Sequence, residues 1–412
     1  MSFLKNKTWY LALFLIAIVF CFIEARDRGD FYIFLSATGD LIKGANFYEN
    51  KYVDGYHYFY SVFFALILKP FYYLPFFWVK FSWLLLNTFI YFKLFQMLTK
   101  SKLITLLTEK QKKWFVFLVF VFSLRFFLDN MHASQITLVI LWCCIYGLYL
   151  IINNKPIPGA AILALGINIK LLPIVFLPYL IYRGYFKAFG LTVLFYLLYL
   201  FLPSVFIGHD YNMSLLKTWL ALINPVSQNH VLDVEERSFH GLSTLLSTLL
   251  VKDVPDVYAL SLKRNIADVS LETLSKILLA ARLIFVSFTL YFLKRAPFNK
   301  AKGHWQQVIE IGYILLIIPL IFPHQQHYAF LFSVPAFALI LLYLFFEKQT
   351  ISKKTKLTVC ILLSLVYLSA NLKLLLGTFN EYYDHYKILT YGTLFLIPLL
   401  VWIRRQTRST DF

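Results

Sequence analysis

Apolar runs of roughly 17 to 25 residues recur along the whole chain, and each is long enough to cross a bilayer as one helix. The pattern predicts twelve spans, near 9–25, 76–98, 114–129, 133–152, 157–169, 171–182, 188–207, 275–293, 305–322, 328–346, 357–376 and 387–403. Short polar turns separate most of them. Two longer segments, 26–75 and 208–274, interrupt the series on one face. Residues 56–75 are apolar too, but a further span there would break the inside–outside parity of the turns. They are expected to form a juxtamembrane or dipping segment. Leu215 and Trp219 share a helical face and predict an amphipathic helix at the interface.

Composition makes a soluble domain untenable. The chain is 60% hydrophobic and 19% aromatic, with a mean hydropathy of +0.68. No linker or repeat divides it, so residues 1–412 are expected to form a single transmembrane domain. The first run, from Leu11 to Ile23, follows Lys5 and Lys7 like a signal peptide. Yet Cys21-Phe22-Ile23-Glu24-Ala25 is a poor cleavage site, and the run reads as a retained anchor.

A net charge of +18 resembles a nucleic-acid signature until its placement is examined. With the N-terminus inside, the cytoplasmic turns and termini hold 21 basic residues, including Lys110, Lys112, Lys113, Lys353, Lys354, Arg404 and Arg405. Only Glu109, Glu347 and Asp411 oppose them, so this face accounts for the whole net charge. That is the positive-inside pattern of a membrane protein lying against anionic lipid, and it excludes a nucleic-acid partner. Cys21, Cys143, Cys144 and Cys360 all fall in spans and have no metal-ligand spacing.

The opposite face gathers the ionisable chemistry. It holds 16 of the 21 acids, together with His57, His132, His209, His230, His240, His324, His327 and His385. Asp27 and Asp30 follow the first span. They either end a helix in solvent or supply a general base that takes a proton from an acceptor hydroxyl. Lys170, in Gly166-Ile167-Asn168-Ile169-Lys170-Leu171-Leu172-Pro173, lies between two short apolar segments broken by Pro173 and Pro178. It either snorkels at a helical hairpin or faces a lipid phosphate in a cavity. His324 and His327, in Phe322-Pro323-His324-Gln325-Gln326-His327-Tyr328, cap helices or donate hydrogen bonds to a phosphate or sugar. Arg237 either pairs with Glu235 and Glu236 or clamps phosphate. Arg282 and Glu310 either pair with each other or line a groove. No glycine-rich phosphate loop and no Asp-x-Asp nucleotide–metal motif occurs, which argues against a nucleotide-sugar donor and an ATP-driven pump.

Several of these segments, in order, resemble one family. Asp30-Phe31-Tyr32 through Lys43-Gly44-Ala45-Asn46-Phe47-Tyr48 is similar to the first outer loop of polyprenol-phosphate-mannose-dependent mannosyltransferases of the GT-C superfamily. Ser134-Gln135-Ile136 resembles its Gly-Gln-hydrophobic element, and Gly166 to Pro173 its Lys-x-x-Pro signature. Arg237-Ser238-Phe239-His240-Gly241 resembles its Gln-Ser-x-x-Gly element, and Pro323 to Tyr328 its Pro-x-x-x-His-aromatic turn. Two departures bear on the sugar and acceptor: Tyr56-His57-Tyr58-Phe59-Tyr60 lacks the family's prolines, and Glu236-Arg237-Ser238 replaces Asn-Gln-Ser.

The resemblance implies an all-α GT-C-like fold of about twelve transmembrane helices with juxtamembrane helices in the outer loops. It implies an inverting transfer of a sugar, mannose first, from polyprenyl phosphate to a hydroxyl of a glycolipid or glycan. Asp30 would be the general base, with Lys170, Arg237, His327, His324, Gln135 and Asp27 binding substrate. A lipid phosphate is already a leaving group, so no metal and no cofactor are expected. The expected location is a bacterial inner membrane, with the site on the periplasmic face and both termini cytoplasmic. A transporter or flippase of lipid-linked sugars, or an O-antigen-type ligase or polymerase using a diphosphate donor, is the alternative.

Overall fold

The computed structural model describes residues 7–224, 232, 239–252, 254, 260–293, 297–301, 303–346 and 352–406. Arg237 lies outside them. Contacts group the chain into two units. The first comprises Met1–Leu98, Leu128–Leu177 and Phe186–Asn224; the second comprises Thr99–Phe127, Pro178–Tyr185 and Pro225–Phe412.

The first unit starts with α1 (Lys7–Glu24), α2 (Phe31–Ile42), α3 (Val62–Tyr72) and α4 (Phe76–Thr99). Helices α2 and α3 have 12 and 11 residues, too few to span a bilayer, which agrees with a juxtamembrane reading of 56–75. Ser61 starts α3 by accepting a hydrogen bond from the Phe64 N–H, a local N-cap. Helix α5 (Glu109–His132) begins in the second unit and ends in the first. Helices α6 (Thr137–Ile152) and α7 (Pro156–Ile169) form a tight hairpin. A Cβ on Gly159 would lie 2.7 Å from the Gly147 carbonyl, so glycine here permits the backbone approach. Then come α8 (Phe176–Tyr182), α9 (Phe186–Phe201), α10 (Pro203–Ile207) and α11 (His209–Leu222). Helix α11 buries Asn212, Leu215, Leu216 and Trp219 along one side, the amphipathic helix expected from the spacing.

The second unit continues with α12 (Leu242–Leu250), α13 (Leu271–Leu293), α14 (His304–Ile321), α15 (Val334–Phe345), α16 (Lys353–Asn371), α17 (Asn380–His385) and α18 (Ile388–Gln406). The start expected at 275 moves one turn earlier, where the Ser270 hydroxyl accepts from the Thr273 N–H. Among the described residues seven helices are long and apolar enough to cross a membrane, and all seven lie at expected positions. The other five positions hold helices as well. Phe14–Glu24, Thr137–Ile152, Pro156–Ile169 and Leu172–Tyr182 are shorter apolar stretches. Helix α16 opens with Lys353, Lys354 and Lys356, which lower its apolar content. The protein is therefore an all-α integral membrane protein.

Candidate active site

The acidic loop after α1 is pinned by backbone geometry. Gly29 adopts φ +55°, and a Cβ there would lie 3.0 Å from the Ser134 Oγ and 3.2 Å from the His132 carbonyl. Glycine lets this loop press against the turn between α5 and α6. The Asp30 N–H donates to the Ala133 carbonyl at 2.9 Å, and the Trp83 indole N–H donates to the Ser134 carbonyl at 2.9 Å.

Asp30 does not end a helix; it stands at the N-cap of α2. An aspartate there ordinarily accepts from the first-turn N–H groups. Here its side chain makes no capping bond. The carboxylate instead accepts a hydrogen bond from the Gln135 side-chain amide. The Gln135 Oε1 in turn accepts from the Tyr60 hydroxyl at 2.8 Å. The Lys170 ammonium lies over the Tyr60 ring, 5.5 Å from its centroid. Tyr60 and Gln135 are buried, while Asp30 and Lys170 keep part of their surface open. Burial, with the Asp30 charge adding to it, pushes the Tyr60 phenol well up, so it stays a neutral donor.

Lys170 is the residue at which α7 stops, in extended backbone at φ −149°, ψ 128°. The Ser61 N–H reaches the Ile169 carbonyl at 3.4 Å, and the Ser61 hydroxyl is 2.9 Å from the Asn168 Oδ1. The break between Ile169 and Leu172 therefore aims Lys170 at the Tyr60 segment. Protein atoms crowd its ammonium, and this desolvation lowers its pKa to about 8 against the opposing pull of Asp30.

Asp27 has a different surrounding. Its carbonyl accepts from the fully buried Lys80 at 2.5 Å. Its carboxylate lies with Glu24 and His132 in a trio whose donor atoms are within 4.8 Å of one another. Among the described residues these three are the ones spaced to hold a cation, but the His132 Nδ1 already meets the Glu24 Oε2 at 3.2 Å. Lys80 also places a positive charge in the field of Asp27, Glu24 and Asp30. Lys80 and Tyr60 are parts of the site that no motif marks for a chemical role. A lysine inside an apolar run was the available signal for the first. Nothing local marks Tyr60 among its aromatic neighbours.

The second unit has its own buried polar cluster. His327 is buried, with ring centroids 5.0 Å from Phe126, 6.0 Å from His240 and 6.4 Å from Tyr383. His324 adopts φ +55° and stands edge-on to Phe239 at 5.3 Å. The His240 Nε2 lies 3.4 Å from the Asp384 Oδ1, and Lys373 holds that carboxylate at 2.9 and 3.1 Å. Burial, reinforced by Lys387 and His327, lowers the His240 pKa to about 3 although Asp384 opposes it. Burial pushes Asp384 up, but His240 and Lys373 outweigh it and hold the carboxyl at about 2. The cluster is thus a neutral imidazole beside a carboxylate–ammonium pair. Lys373 is paired with a carboxylate inside this cluster.

Glu310 also departs from expectation. It pairs with Arg183, whose Nε and Nη2 donate to it at 2.8 and 2.6 Å with both side chains fully buried. Arg183 is thus a buried, paired cation.

A family model for glycosyltransferase family 87 matches residues 58–303, well over half of the chain. The chain belongs to glycosyltransferase family 87. It is therefore a membrane-embedded glycosyltransferase, which sets aside the transporter reading. The matched stretch includes Tyr60, Gln135, Lys170 and Arg237; Asp27 and Asp30 precede it, and His324 and His327 follow it. No curated protein and no solved structure matches the chain.

Proposed function

We propose that this transferase moves a mannosyl group from polyprenyl phosphate to an acceptor hydroxyl on the non-cytoplasmic face of the membrane, with inversion at the anomeric carbon. The observation that carries the proposal is the Asp30 carboxylate, released from capping α2, held by the Gln135 amide, and linked through Tyr60 to the Lys170 ammonium.

In this reading Asp30 accepts the proton of the acceptor hydroxyl as its oxygen attacks the anomeric carbon. Polyprenyl phosphate leaves with the electron pair of the breaking bond. Lys170 faces the leaving phosphate and stabilises its growing charge. Gln135 fixes the carboxylate, and Tyr60 fixes Gln135. Asp27 binds substrate at the exposed rim. His327 and His324 contact sugar or phosphate, supported by the buried position of His327, whose ring centroid lies 6.0 Å from that of His240. Arg237 keeps its proposed phosphate role from the sequence. The location proposed is a bacterial plasma membrane, and the basic residues concentrated in one set of turns support cytoplasmic termini and an outward site within it.

The test is a transfer assay with the purified protein in lipid nanodiscs and radiolabelled polyprenyl-phosphate mannose, over a panel of glycolipid and glycan acceptors. The expected result is a mannosylated product that requires the monophosphate donor. Turnover with a diphosphate-linked donor alone would replace this reading with the ligase one.

A further inference from the structure

Helices α13 and α18, both long and apolar enough to cross the membrane, leave an apolar groove of about 450 Å³. It is lined by Phe288 of α13 and by Ile397, Pro398, Val401, Trp402 and Arg405 of α18. Pro398 lies inside α18 and lacks the N–H that would complete the helix there. Five of the six lining residues are apolar. The sixth, Arg405, is exposed in the last turn.

The arginines at this end are not equivalent. The carbonyl of Leu293, the last residue of α13, accepts from the Arg183 Nη2 at 3.0 Å and the Arg404 Nη2 at 2.6 Å. Both guanidiniums thus sit at the negative end of the α13 dipole. Both also approach Glu310, Arg183 at 2.6 Å and Arg404 at 3.9 Å. Arg405 makes a long 3.4 Å bond to the Tyr291 hydroxyl, and among the described residues no carboxylate pairs with it. An apolar slot therefore runs up to a guanidinium that, among the described residues, no carboxylate neutralises. Trp402 lines the slot and Tyr291 bonds Arg405, the aromatic types enriched where helices meet headgroups.

We propose that this groove holds one anionic phospholipid of the surrounding leaflet, an acyl chain against Phe288, Ile397 and Val401 and its phosphate on Arg405. Charge complementarity selects this occupant. A zwitterionic lipid brings its own cation to the same guanidinium and loses most of the attraction. Basic pockets between transmembrane helices commonly take anionic headgroups in this way. The inference concerns neither the sugar nor the donor and stands apart from the proposed transfer.

Native mass spectrometry of the purified full chain tests it. The protein is incubated with phosphatidylglycerol or phosphatidylethanolamine of identical acyl chains at equal concentration. One phosphatidylglycerol should be retained about fivefold more than phosphatidylethanolamine, the preference expected of one basic residue at the surface. Arg405→Gln should bring the ratio to about one. Val401→Phe, which fills the slot, should lower retention of both lipids. Lys354→Gln, at an exposed lysine of α16, should change nothing. Equal retention of the two lipids by the native chain, or an unchanged preference in Arg405→Gln, overturns the proposal. So does stoichiometric displacement of phosphatidylglycerol by polyprenyl phosphate, which would make the groove a donor site.

Discussion

The side-chain amide of Gln135 donates to the carboxylate of Asp30, 105 residues earlier in the chain. This bond turns an N-cap aspartate away from its helix and toward the Tyr60–Lys170 edge of the first unit. It is also the most direct place to test the proposed chemistry.

Asp30→Asn keeps the shape and a hydrogen-bonding partner for Gln135 but removes the base. Transfer should fall by about 10²-fold or more, the usual worth of a positioned general base, with little change in melting temperature. Gln135→Leu keeps the base and loses its orientation, so turnover should drop by roughly tenfold with the donor KM nearly unchanged. Steady-state kinetics on both variants checks this. Substantial turnover in Asp30→Asn would move the base to Asp27.

Lys170 supplies a pH signature. Its pKa of about 8 means that the ammonium loses its proton as pH rises through that value. Activity should therefore decline above about pH 8, and Lys170→Arg should carry the activity to higher pH. Stability should move the other way. The folded pKa is depressed below the unfolded one, so the unfolded chain binds more protons between them. The cost of burying the charge is relieved as pH rises through that window. A pH–rate profile beside a pH–melting profile separates the two effects, and a rate that stays flat to pH 10 would remove Lys170 from phosphate stabilisation.

The Arg183–Glu310 pair predicts a stability effect without a catalytic one. Glu310→Gln removes one charge of a fully buried pair and leaves the guanidinium without its counter-charge. The expected loss is about 3–5 kcal/mol, the usual consequence of stranding a buried ion. Thermal unfolding of the purified variant reads it. Replacing both residues with apolar ones of similar volume should recover much of the loss.

Topology can be measured directly. Arg28 is exposed in the loop that carries Asp27 and Asp30. With Cys360, the exposed native cysteine, changed to serine, Arg28→Cys should react with a membrane-impermeant thiol reagent added to intact cells. Labelling confined to inverted vesicles would reverse the proposed orientation.

What the sequence determined by itself follows from local, additive physics. Among the described residues, hydrophobic run length marks each helix long enough to span a bilayer, because the hydrocarbon core has a set thickness and a span must satisfy its own backbone there. Fold class was legible for that reason. Asp30, Lys170 and Gln135 were legible through the order of short motifs, and the structure brings these three to the same edge of the first unit. The tertiary structure alone decided the partners. Lys80 meets the Asp27 carbonyl across 53 residues, Lys373 meets Asp384 rather than solvent, and Arg183 meets Glu310 across 127. A buried charge is stable only beside an opposite one or a strong acceptor, whatever its distance along the chain. Hydropathy could flag each such residue as costly, but only the packing of the helices could say what offsets the cost.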